Sequence, residues 1–324
     1  MTASRMTRRG FPELALSGPT IWATTLAIFF GATGQLLQAA DEPMQWQSNL
    51  HRDHPLSGQI WSRSENAFIS EDTLLQQLSN TELLLLGEKH DNPDHHRLRL
   101  TILEHLLKTT QPVLLAMEML TAAQQPALDS LSAMETLPPN EQWQEILSWD
   151  DGWTWEFYEP SLSLGFMTNA TLVAGNIGAE TMMQVYRAEP EDQQQTTLND
   201  AQMQRLTEEI DVSHCGMLPA AQIPPMVRVQ QARDQHMANA LTTPGDVAQR
   251  ILLAGNFHVR HDLGVPNYLP ADAVSAVAVA FLEVDPAGAQ VSDYFADAAG
   301  DFIYDFIWFT PAIRGDDYCA DMTQ

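Results

Sequence analysis

Six short apolar runs punctuate this chain, at 82–87, 112–118, 171–176, 251–255, 275–284 and 302–309. Each is nearly continuous in Leu, Val, Ile, Ala and Phe, the composition of strands buried on both faces. Segments of helical period stand between the early runs. The best marked starts at Asn92, a residue suited to an N-cap, with Pro93 at the first helical position. Leu98, Ile102, Leu103 and Leu106 then share one face, with His95 one turn earlier on it. This alternation predicts an α/β fold, a parallel sheet flanked by helices. Residues 122–165 and 190–245 read differently, being rich in Gln, Met, Ala and Pro with helical rather than strand spacing. They predict a smaller helical subdomain inserted above the carboxyl edge of the sheet. The first carries a dense aromatic run from Trp149 to Tyr158, and the polar stretch Ala188 to Asp200 reads as a connection.

Two of the apolar runs end alike. Leu83 to Leu86 leads into Gly87-Glu88-Lys89-His90, and Ile251 to Ala254 leads into Gly255-Asn256-Phe257-His258. Ligands of open α/β sheets bind just beyond the carboxyl ends of parallel strands, so the repeated G-x-x-H brings both histidines to one crevice. Each glycine is expected to let the chain turn sharply out of the sheet at a point where a Cβ would clash. Two further strands end in polar residues, Glu118 and Asn176. A carboxylate ending a buried strand is costly unless paired, which marks Glu118.

Charge narrows the partners. A formal net charge of -26 repels nucleic acid and anionic membranes, and no nucleic-acid partner is expected. Arg5, Arg8 and Arg9 precede an apolar stretch from Ile21 to Phe30 that closes at Ala39-Ala40, the pattern of a secretory signal peptide over residues 1–40. Thr7-Arg8-Arg9-Gly10-Phe11 also fits a twin-arginine signal in part. The expectation is an exported, periplasmic or envelope-associated protein, without the lipid-acceptor cysteine of a lipoprotein. Cys215 and Cys319 are the only cysteines, and either a disulfide or two separate buried thiols accommodates them.

Glu88, His90, Glu118 and His258 are the residue types needed for acid–base catalysis, and His90, Glu118 and His258 are also those of a divalent-metal site. His95 and His96 lie on the first turn of the helix after the first motif. His214, in Ser213-His214-Cys215-Gly216, is placed to ligate an axial position or simply to end a helix. Arg97, Arg99, Arg233 and Arg260 could pair with carboxylates of a ligand or neutralise the protein's own acids. Nucleophile elbows, phosphate loops, dinucleotide fingerprints and zinc-type motifs are absent, which leaves covalent Ser or Cys catalysis unsupported.

Taken in order, the segment Gly87 to His96, Glu118, His214-Cys215, Arg233-Asp234 with Met237-Ala238, Gly255 to Arg260 with Gly264-Val265-Pro266, and Asp305 to Pro311 resemble the ChaN-like haem-binding uptake family. The resemblance spans about residues 60 to 320, so that residues 41–324 form one ChaN-like domain after the leader. That family shares a superfamily with the Tiki metalloproteases and is similar to erythromycin esterases. It implies an exported haem-binding protein of haem and iron acquisition, acting as a homodimer or with an envelope haem or iron transporter. The residues it implies around haem are His90, His95, His96, Tyr158, His214, Arg233, Asn256, His258 and Arg260, with Tyr158 or His214 as the axial ligand. The alternative is an ester or peptide hydrolase, with or without a divalent metal, in which Glu88 is the general base, His90 and His258 are ligands or acids, and Glu118 orients them.

Overall fold

The structure is a computed structural model, and it describes residues 44–108, 111–188, 197–294, 303–315 and Cys319. The expected leader at 1–40, the start of the helical stretch at 190 and the start of the last strand at 302 lie outside these residues. The sheet has eight strands: β1 (Ile60–Ser62), β2 (Ala67–Ile69), β3 (Leu83–Leu86), β4 (Val113–Thr121), β5 (Thr171–Asn176), β6 (Gln249–Leu253), β7 (Val277–Glu283) and β8 (Phe306–Thr310). Their order is β2-β1-β8-β7-β3-β6-β4-β5. From β8 to β5 every pairing is parallel. β1 pairs antiparallel with both β8 and β2, adding a short hairpin at one edge that the sequence pattern does not show. Strands of three residues are too short to register a period.

All six expected strands overlap observed ones, and their residues alternate cleanly between faces. Leu84, Leu86, Leu115 and Met117 enter one hydrophobic cluster, while Leu83, Leu85, Leu114 and Ala116 enter the other. Both faces of the parallel strands are therefore buried, as continuous apolar runs require. The helices are α1 (Glu71–Leu78), α2 (Pro93–Leu106), α3 (Gln125–Ser132), α4 (Trp143–Ile146), α5 (Trp155–Met167), α6 (Ala179–Arg187), α7 (Asp200–Ser213) and α8 (Ile223–Leu241). α1 to α5 supply the first cluster; α7 and α8 supply the second. The two helical stretches thus divide between opposite faces. α2 opens as its sequence says: the Asn92 side chain accepts from Asp94 N (2.9 Å) and His95 N (3.3 Å), with Pro93 in the first turn.

Neither motif glycine turns the chain through positive φ. Each is required instead by close approach. A Cβ on Gly87 would overlap Oδ1 of Asn256 and come 3.2 Å from the Val279 carbonyl, and one on Gly255 would meet the His90 ring at 3.0 Å. β3 and β6 are immediate neighbours, with Leu86 opposite Leu253, so the missing side chains make room where the two motifs press together.

Cys215 follows α7 with φ 61° and is disulfide-bonded to Cys319. The bond ties the end of α7 to the carboxyl-terminal region across 104 residues of sequence. Closing so long a loop in the unfolded chain is worth about 2–5 kcal/mol. Replacing both cysteines by serine is expected to lower the unfolding free energy by about that amount, read as a lower midpoint in urea, with no change in far-ultraviolet circular dichroism at 25 °C.

Candidate ligand-binding site

At the carboxyl edge the two motifs build a layer of buried charge. Glu88, 2% exposed, is the centre of its first half. One oxygen accepts from the Tyr158 hydroxyl (2.7 Å) and lies 2.9 Å from His90 Nδ1. The other is held by the Arg99 guanidinium and lies 3.0 Å from His96 Nδ1. Burial raises the Glu88 carboxyl, but the charges of Arg99 and His96 and the hydrogen bonds of the two histidines outweigh it and hold it well below the usual carboxylate range. A carboxylate so held is a weak base. The role expected of Glu88 as general base is thus a poor match to its surroundings.

His258 is the centre of the second half. Its Nδ1 lies 2.6 Å from Asp234 Oδ1 and its Nε2 3.2 Å from Glu118 Oε1. β4 runs on to Thr121, so Glu118 lies inside the strand and not at its end as expected. It also accepts from the Gly255 N–H (2.8 Å), which explains how a carboxylate sits in a buried strand. Burial opposes the charge on His258, yet Glu118 and Asp234 raise it to about 10. Burial likewise opposes charge on Glu118, and His258, His90 and the Gly255 N–H bring it down to about 2. Burial pushes Asp234 up, and His258 recovers only part of this. His90 joins the halves: burial lowers it, but the Glu88 hydrogen bond and the charge of Glu118 raise it on balance.

Beside this layer lies a cavity of about 960 Å³, within the size range of small-molecule sites. One wall is the motif edge, with His90, Gly255, Asn256, Phe257 and His258. The other is helical, formed by Met182, Met183 and Tyr186 of α6, by Glu209, Ile210, Val212, Ser213 and His214 at the end of α7, and by one face of α8. That α8 face is Met226, Val229, Gln230 and Arg233, the i, i+3, i+4, i+7 spacing of residues that share a helix side. The cavity is largely apolar along α6 and at Met226 and Val229 of α8, mixed at the end of α7, where Glu209, Ser213 and His214 join Ile210 and Val212, and polar at the motif end.

Several expected contacts fall elsewhere. Tyr158 is fully buried, its hydroxyl spent on Glu88, and it does not line the cavity. His96 stacks on Phe157 at 4.4 Å, and its Nε2 lies 3.0 Å from the His90 carbonyl, away from the cavity. His95 reaches the cavity lining but both nitrogens are used. Nδ1 accepts from Lys89 N (2.8 Å), so Nε2 carries the proton and donates to Thr310 Oγ1 (2.8 Å). Burial keeps it neutral, well below the usual histidine range. Asn256 spends its amide on the Phe281 backbone, and Arg260 pairs with Asp262 and Glu209 and covers the Phe257 ring. The metal set of His90, Glu118 and His258 does not form. Both nitrogens of His258 already face carboxylates, and among the described residues no three His, Cys, Asp or Glu side chains are arranged to hold an ion. Tyr186, Met182, Met183 and Met226 are among the cavity residues that sequence reasoning passed over; their helical spacing alone looks like core.

The His258 cluster fixes a pH dependence. Its folded-state value of about 10 lies above the ordinary 6.5, so its contribution to stability is complete below about pH 6.5 and is lost as pH rises toward 10. Urea unfolding midpoints should therefore fall between pH 7 and 10, and His258→Gln should remove most of that slope while lowering stability at pH 7. An unchanged slope would show that His258 is not charged in the folded protein.

Among solved structures, ChaN of Campylobacter jejuni, described for its cofacial haem binding, aligns with a TM-score of 0.65 at 21% identity over 82% of this chain and 98% of that one. At that identity the likeness is one of fold. An erythromycin esterase mutant in its open conformation aligns over 85% of this chain and 100% of that one, with a TM-score of 0.44 and 12% identity. No curated protein matches the chain. A family model described as "Haem-binding uptake, Tiki superfamily, ChaN" matches residues 74–269, well over half of the sequence. That span holds the charge layer, both G-x-x-H motifs and the helical wall of the cavity, and the chain belongs to this haem-binding family.

Proposed function

We propose that this protein binds haem in the cavity between the motif edge and the helical wall, as an exported component of haem and iron acquisition. The observation that carries the reading is the cavity: large, largely apolar along α6 and at Met226 and Val229 of α8, polar at one end, and edged by side chains able to ligate iron. His214 caps α7 and its Nδ1–H donates to the Ile210 carbonyl (2.7 Å), which leaves Nε2 as the lone-pair nitrogen. A ligating histidine fixed in this way through its other nitrogen is a recurrent arrangement in metal sites. The Tyr186 phenol lines the same wall. His214 and Tyr186 therefore replace Tyr158 as the side chains to test first. Haem would supply the iron chemistry, while the Met, Ile, Val and Phe side chains exclude water from its faces.

The disulfide supports export, since such bonds persist in oxidising compartments. Among the described residues no helix is long and apolar enough to cross a membrane. Val212 and Met217, exposed apolar residues beside His214, favour a mouth that meets another protein surface. The proposal extends to a homodimer formed there, with release to an envelope haem or iron transporter. Titrating haem into purified protein should give a saturable Soret shift, and His214→Ala or Tyr186→Phe should move the band maximum and weaken binding at least about tenfold, the loss of a metal ligand or its support. No saturable change in the unaltered protein would remove the reading. Band positions unmoved in both variants would take the iron ligand off the helical wall.

One observation favours a second reading, hydrolysis. The Glu88 carboxylate fixes the Nδ1–H of half-exposed His90, leaving Nε2 as a base at the cavity edge. In that reading His90, rather than Glu88, draws the proton from water. His90→Gln should abolish any turnover in a panel of esters and peptides. Turnover that survives it, or none in the unaltered protein, would dismiss this chemistry.

A further inference from the structure

Two permanent cations line the cavity, Lys89 and Arg233, and they differ in one respect. Lys89 Nζ lies 2.8 Å from Glu283 and 3.6 Å from Asp91. Arg233 meets no carboxylate among the described residues. Its recorded contact is NH2 against the Met182 sulfur at 3.8 Å, and its buried Nε has no hydrogen-bond partner. The acids of the cavity wall are already engaged: Glu88 by Arg99, Glu283 by Lys89 and Asn92, Glu209 by Arg260. His258, the other strong positive charge, is matched by Glu118 and Asp234. The neighbouring arginines are spent too, Arg97 on Asp94, and Arg228 on the carbonyls of Val185, Tyr186 and Ala188 at the end of α6.

In a chain with 42 acidic and 16 basic side chains, a half-buried guanidinium without a carboxylate is not for want of acids. Burying such donors unpaired is costly, and the cost is relieved when an anion arrives. Arg233 stands on the cavity face of α8, one turn beyond Gln230, with Met226 and Val229 running apolar below it. An amphipathic ligand lying along that face would put its apolar body against the methionines and its anionic end at the guanidinium. The planar fork of Arg suits a carboxylate held through two hydrogen bonds.

We infer that Arg233 is the carboxylate anchor of the cavity and selects ligands that carry an unesterified carboxylate at one end. The inference rests on the haem reading for the identity of that group, a propionate, but not for its chemistry. Haem and its dimethyl ester titrated into the protein separate the two. The unaltered protein should bind haem about tenfold or more tightly than the diester, the order expected for a charge-assisted pair. Arg233→Gln should lose that preference, and Arg233→Lys should keep part of it, while the thermal unfolding midpoint of the ligand-free variants does not fall. Equal affinity of the unaltered protein for acid and diester, or discrimination surviving in Arg233→Gln, would overturn the assignment and leave haem binding standing. If neither porphyrin binds, the haem reading fails, and cis-parinaric acid against its methyl ester puts the same question by fluorescence. A preference for the acid that Arg233→Gln abolishes would support the anchor; no preference, or no binding of either probe, would overturn it.

Discussion

A carboxylate cannot be buried at the end of a strand without a cation beside it, and this constraint organises the whole carboxyl edge. Glu88 meets it by drawing in Arg99 and His96 from α2, Tyr158 from α5 and His90 from its own loop. Three separate parts of the chain must therefore be in place before the charge is satisfied. Removing one partner from such a cluster typically costs about 3–5 kcal/mol, because the charge left behind has no solvent to turn to. The net worth of the assembled cluster is far smaller than that penalty. Its effect is to make one arrangement of α2, α5 and β3 much better than any near alternative.

Glu118 repeats the solution on the neighbouring strands, with His258 and the Gly255 N–H as its partners and Asp234 of α8 closing the far side. The first cluster ties the sheet to the helices of one face, and the second ties it to α8 on the other. His90 lies between them, held by Glu88 and pulled electrostatically by Glu118. The glycines of the repeated motif belong to the same device. Gly87 makes space for the Asn256 side chain that bridges to the Phe281 backbone, and Gly255 makes space for the His90 ring.

Much of this was legible in the residues. The leucine run of β3 and the leucine- and methionine-rich run of β4 announce strands with two buried faces, and Asn92-Pro93 announces the start of α2. The pairing of the two G-x-x-H segments follows from their placement after strands that proved adjacent. Other features left no trace at that level. The β1–β2 hairpin is too short to show alternation, and Tyr158 looks like any member of an aromatic run until its hydroxyl is seen bonded to Glu88. The expected clash of a Cβ at the motif glycines is found, but its partners, the Asn256 side chain and the His90 ring, are set only by the fold. Among the arginines near the motifs, sequence could not separate those that neutralise acids from the one that does not. That difference exists only in three dimensions.

The division between the two walls of the cavity bears on what each can do. At the motif wall nearly every polar atom is committed to another protein atom, so this wall is rigid, largely self-neutralised and poor in free donors. At the helical wall His214 keeps a nitrogen free of its capping bond, and Arg233 meets no carboxylate among the described residues. α6, which carries Met182, Met183 and Tyr186, has no fully buried residue, and its last turn is held by the carbonyl bonds of Arg228. The strand-end motifs thus shape and stiffen one side, while His214 and Arg233, which belong to the same family resemblance, face the cavity from the helical wall beside Met182, Met183 and Tyr186. A rigid charged floor facing a softer wall of methionines and unspent donors suits a large amphipathic ligand that must enter and leave intact. It suits bond cleavage less well, because that requires the polar atoms of the floor to be available to the substrate.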